Sequence, residues 1–538
     1  MNTSGHKKLW EIIPQPTVPG EYNHARYTSI DTPPLRDYMS EPTFPAQADP
    51  ANVGCRFKWD YPIINLMSGH TRTCCRVPKQ VITEEDIDKY GTDAIQNLPY
   101  EQDRRREKLL GITHIDCESC VRSEWNEASS PRGKLDNFIN GWLINENKAY
   151  PYTVSELRRW YVDNIPNKAE DLPFNHPLIR AEKPEMLEII LGNHCDLKCT
   201  YCSVHYSTQW QTELIKFGDI KKEDLDQHFP TAPEKLEKVF WEWFYDVGRH
   251  TSKIINILGG EPTYMPKFYD VMEKLTLAYK DLGKKDRHVE LGVLSNMNTK
   301  PQQMDRFLNL LPELTKYLFL RLQPSVEAVG KRAEYIRYGL EWTRLESNVN
   351  RILGERDKYG LTPDNFGMGF QMALNAFSVS SLPDFVHWVN SLINTHDFEL
   401  GIMKNVVSFP RHHNPHILTP DFASYLEQAR DYIDIYAEKN SKHIHSLVAK
   451  HSVYPTYILP DHGSWDSYNR DLLNNLTESV GAEYRSDFDI DSRVAWYDFV
   501  NQMEERRGVK VLDYYPEMTD FYELCKKQTL ARGDRQQD

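Results

Sequence analysis

Three cysteines fall close together in Cys195-Asp-Leu-Lys-Cys199-Thr-Tyr-Cys202, so their thiolates can converge on one metal centre. Structural zinc takes four ligands, commonly as pairs two to four residues apart, and here His194 or His205 would have to complete the set. A loop that instead holds three irons of a four-iron cluster leaves the fourth iron without a protein ligand, open to a substrate or cofactor. Farther along, an apolar run leads into Gly259-Gly260-Glu261-Pro262. Two glycines at the end of a strand let a ligand approach the backbone closely, and Glu261 supplies negative charge beside them. Two more apolar runs end in polar clusters, Ser295-Asn296-Met297-Asn298-Thr299 and Pro324-Ser325-Val326-Glu327. Arg337, in Tyr335-Ile-Arg337-Tyr-Gly339, carries the planar fork that clamps a carboxylate; the plainer alternative is a bridge to a helix carboxylate such as Glu334 or Glu341. A second set, Cys55, Cys74, Cys117 and Cys120, has the paired character of a zinc ribbon, with Cys75 beside Cys74 as a rival ligand.

Such side chains need a scaffold that brings distant segments to one rim. From about residue 185 the pattern alternates, with strand-like runs at Leu187–Leu191, Lys253–Leu258, His288–Leu294, Tyr317–Leu322, Phe366–Ala373 and Glu399–Met403. Helix-length segments separate them, among them Pro233–Val247, which Thr231 can cap with Glu234 three residues on. Six strands joined by helical crossovers imply an α/β fold with a parallel sheet, and ligands bind such sheets at the C-terminal rim of the strands. Pattern alone leaves an open sheet and a partial barrel as alternatives. Residues 1–50 hold eight of the 32 prolines and read as an extended arm. Residues 51–130 carry the first cysteine set, 131–180 form a connector, 181–420 the alternating core, and 421–538 a mostly helical region.

Composition excludes several classes. With 538 residues, 40% hydrophobic and 12% aromatic, the chain has material for more than one core and is not disordered or fibrous. Its net charge of −14 disfavours tracking a nucleic-acid backbone, for which a basic surplus is needed, and Arg104-Arg105-Arg106 is the only concentrated basic run. No stretch approaches the ~20 apolar residues that cross a bilayer. Lys7 and Lys8 precede only a short apolar stretch that Glu11 interrupts, which is no secretory signal. A reducing cytoplasm is therefore expected, where clustered cysteines serve metal or redox chemistry rather than disulfides. Eight of the nine cysteines lie in the two sets, and Cys525 reads as a small buried hydrophobe.

The cysteine loop, with Tyr201 before its last cysteine, resembles the signature of radical S-adenosylmethionine enzymes. The resemblance implies a partial (β/α)6 barrel, a 4Fe–4S cluster on Cys195, Cys199 and Cys202, and S-adenosylmethionine chelated to the open iron. It also implies cofactor contacts from Tyr201, Gly259, Gly260, Glu261, Ser295, Asn296, Ser325, Glu327 and Arg337. Cys55, then Gly69 and Cys74, is similar to the opening of the SPASM and twitch auxiliary-cluster domains, and its spacing favours Cys74 over Cys75. One auxiliary iron–sulfur cluster on Cys55, Cys74, Cys117 and Cys120 follows from the shorter twitch form. In characterised enzymes that module follows the barrel. The order here, module first, resembles twitch-domain-containing radical SAM proteins of phages and bacteria. Their pattern continues through Leu110-Gly111-Ile-Thr-His114, Glu124, Leu191-Gly192-Asn193, Ser207-Thr-Gln-Trp210, Arg337 to Trp342, Arg506-Arg-Gly508 and Tyr515-Pro516-Glu517. The implied reaction is reductive cleavage of S-adenosylmethionine to a 5′-deoxyadenosyl radical, then hydrogen abstraction from a peptide or small metabolite. A reducing donor such as flavodoxin or ferredoxin is implied, in the host cytoplasm if the chain is phage-encoded. Two other readings are a zinc- or iron-stapled scaffold without catalysis and a radical enzyme that modifies RNA.

Overall fold

The computed structural model describes residues 55, 57–74, 77, 79–109, 117, 173–176, 179–223, 225, 230–283, 289–407, 409–433, 435 and 487–535. The proline-rich arm, Cys75, Cys120, the 110–114 segment, Glu124 and most of the connector lie outside these residues.

All six runs read from the alternating core are strands: β4 (Met186–Ile190), β6 (Ile254–Leu258), β7 (Glu290–Ser295), β8 (Phe319–Pro324), β10 (Phe366–Leu374) and β11 (Leu400–Val406). They pair in parallel and lie side by side in chain order. Three short strands, β1 (Ile63–Asn65), β2 (His70–Arg72) and β3 (Gln80–Val81), continue the same sheet beyond β4, with β1 parallel to β4 and β2 antiparallel to β1. The segment of the first cysteine set is thus joined to the core through a nine-stranded sheet. A separate pair, β5 (Lys198–Cys199) and β9 (Arg337–Tyr338), is antiparallel.

Eleven further elements matter here: α1 (Glu84–Tyr90), α2 (Pro99–Leu109), α3 (Thr208–Lys216), α4 (Leu236–Trp243), α5 (Pro266–Leu282), α6 (Pro301–Leu314), α7 (Gly330–Ile336), α8 (Trp342–Gly354), α9 (Leu382–His396), α10 (Asp487–Arg507) and α11 (Thr519–Arg535). Proline at the first turn starts α5 and α6, where its missing N–H is not needed. The proposed Thr231 cap does not form: α4 begins at Leu236, its cap residue Lys235 makes no side-chain cap bond, and the Glu234 N–H instead donates to Glu84 of α1 at 3.0 Å. No helix among the described residues is long and apolar enough to cross a membrane.

Strand residues alternate between two unlike faces. Leu187, Ile189, Ile255, Ile257, Leu291, Val293, Leu320, Leu322, Phe370 and Met372 are fully buried. They share one core with Phe268, Val271 and Met272 of α5, Phe307, Leu308 and Leu311 of α6, Leu345, Val349 and Ile352 of α8 and Phe385 of α9. Those helical positions recur at three- and four-residue spacing, which gives each helix one apolar stripe. Each side chain buried this way stabilises the fold by about 1.5–3 kcal/mol. The other face mixes polar with apolar side chains, and Ile63, Met186 and Ile254 on it pack into a small buried cluster. One lateral row across it runs Arg72, Ile63, Glu188, Asn256, Gly292, Arg321, Gly367, as the strand registers show. At Gly292 a Cβ would lie 2.2 Å from Asn256 Oδ1, so only glycine leaves room for that side chain.

Candidate active site

The cysteine loop leaves the C-terminal end of β4 and is fixed from several directions. Its backbone pairs with β9, Lys198 opposite Tyr338 and Cys199 opposite Arg337, and the Thr200 N–H donates to the Ile336 carbonyl at 2.8 Å. Ser207 caps α3, accepting from the Trp210 N–H, while its hydroxyl donates to the Leu197 carbonyl at 2.6 Å. The Trp210 indole N–H donates to the Cys199 carbonyl at 2.9 Å. The Ser207 to Trp210 segment is therefore the buttress of the loop. Behind it, Arg507 of α10 pairs with Glu213 of α3 at 3.3 Å, both nearly fully buried, and stacks over the rings of Trp210 and Tyr338. Arg506 pairs with Asp219 at 2.6 Å.

Cys195 and Cys199 are buried and Cys202 is half-buried. Burial pushes the Cys199 thiol up to about 12, against the pull of the Arg337 cation, and the Cys202 thiol up to about 11. Burial also raises Cys195, with Cys199, Asp196 and Cys202 adding to the rise. Thiols so placed hold their protons until a metal displaces them. Two N–H groups point at sulfur: Leu197 N to Cys195 Sγ at 3.5 Å and Arg337 Nη1 to Cys199 Sγ at 3.7 Å. Three soft donors with N–H groups directed at their sulfurs fit an iron–sulfur cluster by their chemistry. Among the described residues, no three His, Cys, Asp or Glu side chains already stand in metal-holding geometry.

The rims of β6 and β7 are zipped to this loop. Gly260 N–H donates to the Gly192 carbonyl at 2.9 Å and Glu261 N–H to the His194 carbonyl at 2.8 Å. A Cβ on Gly260 would meet the His194 carbonyl oxygen at 2.4 Å, so the close contact between this rim and the cysteine loop needs glycine there. At Gly259 the nearest atom would be Met265 Cε at 2.6 Å, the end of a flexible side chain. Gly260→Ala is therefore expected to cost about 3 kcal/mol and Gly259→Ala about 1 kcal/mol, the range of overpacking penalties. Denaturant unfolding of the two variants checks the order.

Glu261 is buried, and its carboxylate accepts from Thr263 N–H (3.0 Å), Thr263 Oγ1 (2.7 Å), Ser295 Oγ (2.8 Å) and Asn296 N–H (2.5 Å). Burial and the nearby Asp196 push it up to about 7 against these donors. Asn296 and Asn298 each donate to one oxygen of Asp196 at 2.8 Å, tying the β7 rim to the cysteine loop. Ser325 is half-buried, and its backbone N–H donates to the Ser295 carbonyl at 2.8 Å.

Arg337 is committed. Its Nε and Nη2 form a paired contact with Glu327, each at 2.5 Å, and neither Glu334 nor Glu341 is its partner in this pair. Glu327 also accepts from the Tyr201 hydroxyl at 2.7 Å and from the Ala373 N–H at 3.3 Å. Glu327, Arg337, Tyr201 and Cys199 thus form one buried network rather than independent contacts. Of the first cysteine set, Cys55 and Cys74 share a small apolar cluster with Phe57, Tyr61, Ile63, Val77, Met186 and Ile254, at the N-terminal ends of β4 and β6. Cys117 is also buried.

Several polar residues escaped the motif reading. Glu188, Asn256, Arg321, Gln323 and Gln371 lie on the open sheet face, and Asp196 lies within the cysteine loop itself. Their signal was a polar residue every second position inside otherwise apolar strands, as in Leu187-Glu188-Ile189 and Leu320-Arg321-Leu322.

No family model matches the chain, and no curated protein matches it. Among solved structures, native anSMEcpe with bound AdoMet aligns with a TM-score of 0.32 at 13% identity, over 61% of this chain and 100% of that one. Native anSMEcpe with bound AdoMet and the Kp18Cys peptide gives 0.31 at 15% identity, over 48% of this chain and 62% of that one. Streptococcus suis SuiB bound to precursor peptide SuiA gives 0.26 at 12% identity, over 65% and 72%. At these scores the likenesses carry no argument about function.

Proposed function

We propose that this chain is a radical S-adenosylmethionine enzyme of the twitch-domain type, with a partial (β/α)6 barrel. The observation that supports this most is the Cys195, Cys199 and Cys202 loop at the tip of the first of six consecutive parallel strands, tied through Asp196 to the rim of the third. Those three thiols would hold the 4Fe–4S cluster, and Cys55, Cys74, Cys117 and Cys120 an auxiliary one. With S-adenosylmethionine bound, the cluster supplies a 5′-deoxyadenosyl radical, able to take hydrogen from an unactivated carbon. The protein's own task is to orient and to exclude water. Arg337 directs an N–H at the Cys199 sulfur, and Glu327 holds both Arg337 and Tyr201 in place. Glu261 organises the rims of strands two and three. The polar floor of Glu188, Asn256, Arg321 and Gln371 is where a peptide or small-molecule substrate would be oriented, in a reducing cytoplasm with a flavodoxin- or ferredoxin-like donor.

The test is direct. Protein reconstituted anaerobically with iron and sulfide, then given S-adenosylmethionine and dithionite, is expected to form 5′-deoxyadenosine and methionine in equal amounts. Protein that binds zinc instead and forms neither would favour the stapled scaffold.

A further inference from the structure

The last two strands of the sheet carry glycines that the protein's own packing does not require. Along β10, Phe366, Met368, Phe370 and Met372 are buried in the core, so Gly367, Gly369, Gln371 and Ala373 alternate with them onto the opposite face. β11 continues that face with Gly401, Met403 and Asn405, which lie beside Gly369, Gln371 and Ala373. Gly367 has a packing reason, since a Cβ there would stand 3.2 Å from the Phe319 ring. Gly369 and Gly401 have none. Neither has a positive φ. Among the described residues, a Cβ on Gly369 would find nothing closer than Met403 Cε at 3.5 Å, and one on Gly401 nothing closer than Gly369 Cα at 3.9 Å. Glycine inside a strand weakens it, so a glycine that neither backbone nor packing demands marks a place where another molecule comes close to the backbone.

The side chains around these two glycines are carboxamides. Gln323 of β8 lies beside Gly369, and Ser325 bridges to Gln371 in the same register. Gln323 is buried, and its only side-chain hydrogen bond among the described residues is a weak one, from Nε2 to the Met403 sulfur at 3.6 Å. Gln371 is half-buried and Asn405 exposed, and among the described residues neither side chain makes a hydrogen bond. Charge on this part of the sheet is already spent. Arg321, one row below, pairs with Glu290 at 2.5 Å, and no other ionisable side chain of β8, β10 or β11 lies on that face.

We propose that this floor binds a neutral, extended peptide segment of the substrate, its amide groups lying over Gly369 and Gly401 and exchanging hydrogen bonds with Gln323, Gln371 and Asn405. A carboxamide has both donors and an acceptor, so it meets the N–H and the C=O of a peptide group without adding charge. A buried carboxamide whose one partner is a thioether gains most from such a group. A nucleobase is the rival planar ligand, and single bases are held by stacking on aromatic rings. The one ring on this face of the three strands, Phe319, is packed over Gly367. That the peptide is the substrate rests on the radical-enzyme reading; that the floor binds a peptide does not.

The probe is acetyl-tetraalanine N-methylamide, which has amide groups and no charge, titrated into the full chain and followed by saturation-transfer nuclear magnetic resonance. Binding in the millimolar range or tighter is expected. Gly401→Ala is expected to leave the melting temperature unchanged or raised, because the site has room for a methyl and the unfolded chain loses freedom. The same methyl stands where the peptide must lie, so binding should weaken about tenfold. Gln371→Leu is expected to weaken it about 3- to 10-fold, the loss of one or two neutral hydrogen bonds. Absence of peptide binding to the wild-type chain, binding that both variants leave unchanged, tighter binding of adenosine than of the peptide, or a destabilised Gly401→Ala variant each overturns the proposal. Iron-free and iron-loaded protein are expected to behave alike, so failure here is separable from failure to form 5′-deoxyadenosine.

Discussion

Alanine at Cys195, Cys199 and Cys202 together is expected to lower the iron of reconstituted protein from about eight to about four per chain, and to abolish 5′-deoxyadenosine formation. The reasoning is chemical rather than structural. Each substitution removes one small side chain, whereas a methyl group cannot bind iron at all. The loop should stay in place, since β5–β9 pairing, the Ser207 cap and the Trp210 indole hold it through backbone atoms. Iron and sulfide analysis, with electron paramagnetic resonance of the reduced protein, reads the result. A triple variant that keeps all its iron would show that this loop holds no cluster. The four irons expected to remain would belong to the first cysteine set, and Cys117→Ala should remove those selectively.

The second large effect concerns Arg337. The resemblance alone would make it a cofactor clamp, so that its loss weakens S-adenosylmethionine binding and leaves stability alone. The structure gives it a buried partner, and removing one member of a buried ion pair costs about 3–5 kcal/mol because the other is left uncompensated. Arg337→Met in iron-free protein should accordingly lower the melting temperature by roughly 3–5 °C, since a chain of 538 residues shifts by about 1 °C per kcal/mol. Glu327→Gln combined with Arg337→Met should recover much of that, because no bare charge remains. In loaded protein the single variant also loses an N–H directed at the Cys199 sulfur, and its cluster potential should move to more negative values. An unchanged melting temperature in the iron-free single variant would refute the pairing.

How far the sequence was legible follows from what is local. The six core strands announced themselves as short apolar runs between helix-length segments, and their bounds came out within a few residues. The place of the cysteine loop was legible for the same reason, because it follows directly on the first of these apolar runs. Partner choice was not. Arg337 finds Glu327 ten residues back, just beyond β8, whereas the sequence offered a cofactor carboxylate or, as the plain alternative, Glu334 or Glu341. β1 joins β4 across more than a hundred residues, a contact with no local signature. Asn296 and Asn298 were visible as polar strand ends, but their common target, Asp196, depends on how the loop folds back. Thr231 failed as a cap because the Glu234 N–H found a carboxylate on another helix.

The bracing of the cysteine loop by α10 has a consequence for how the chain is made. Arg507 lies 294 residues after its partner Glu213. At about 5–20 residues per second, a ribosome needs about 15–60 s to deliver that arginine after the loop has emerged. During that interval the three thiols are present without their rear support, in a segment whose sheet neighbours β6, β7, β8, β10 and β11 are themselves still arriving. Oxygen or a competing metal then meets thiols that burial has not yet protected. Expression conditions during synthesis, and not only those of later reconstitution, therefore set what fraction of chains has an intact loop to load.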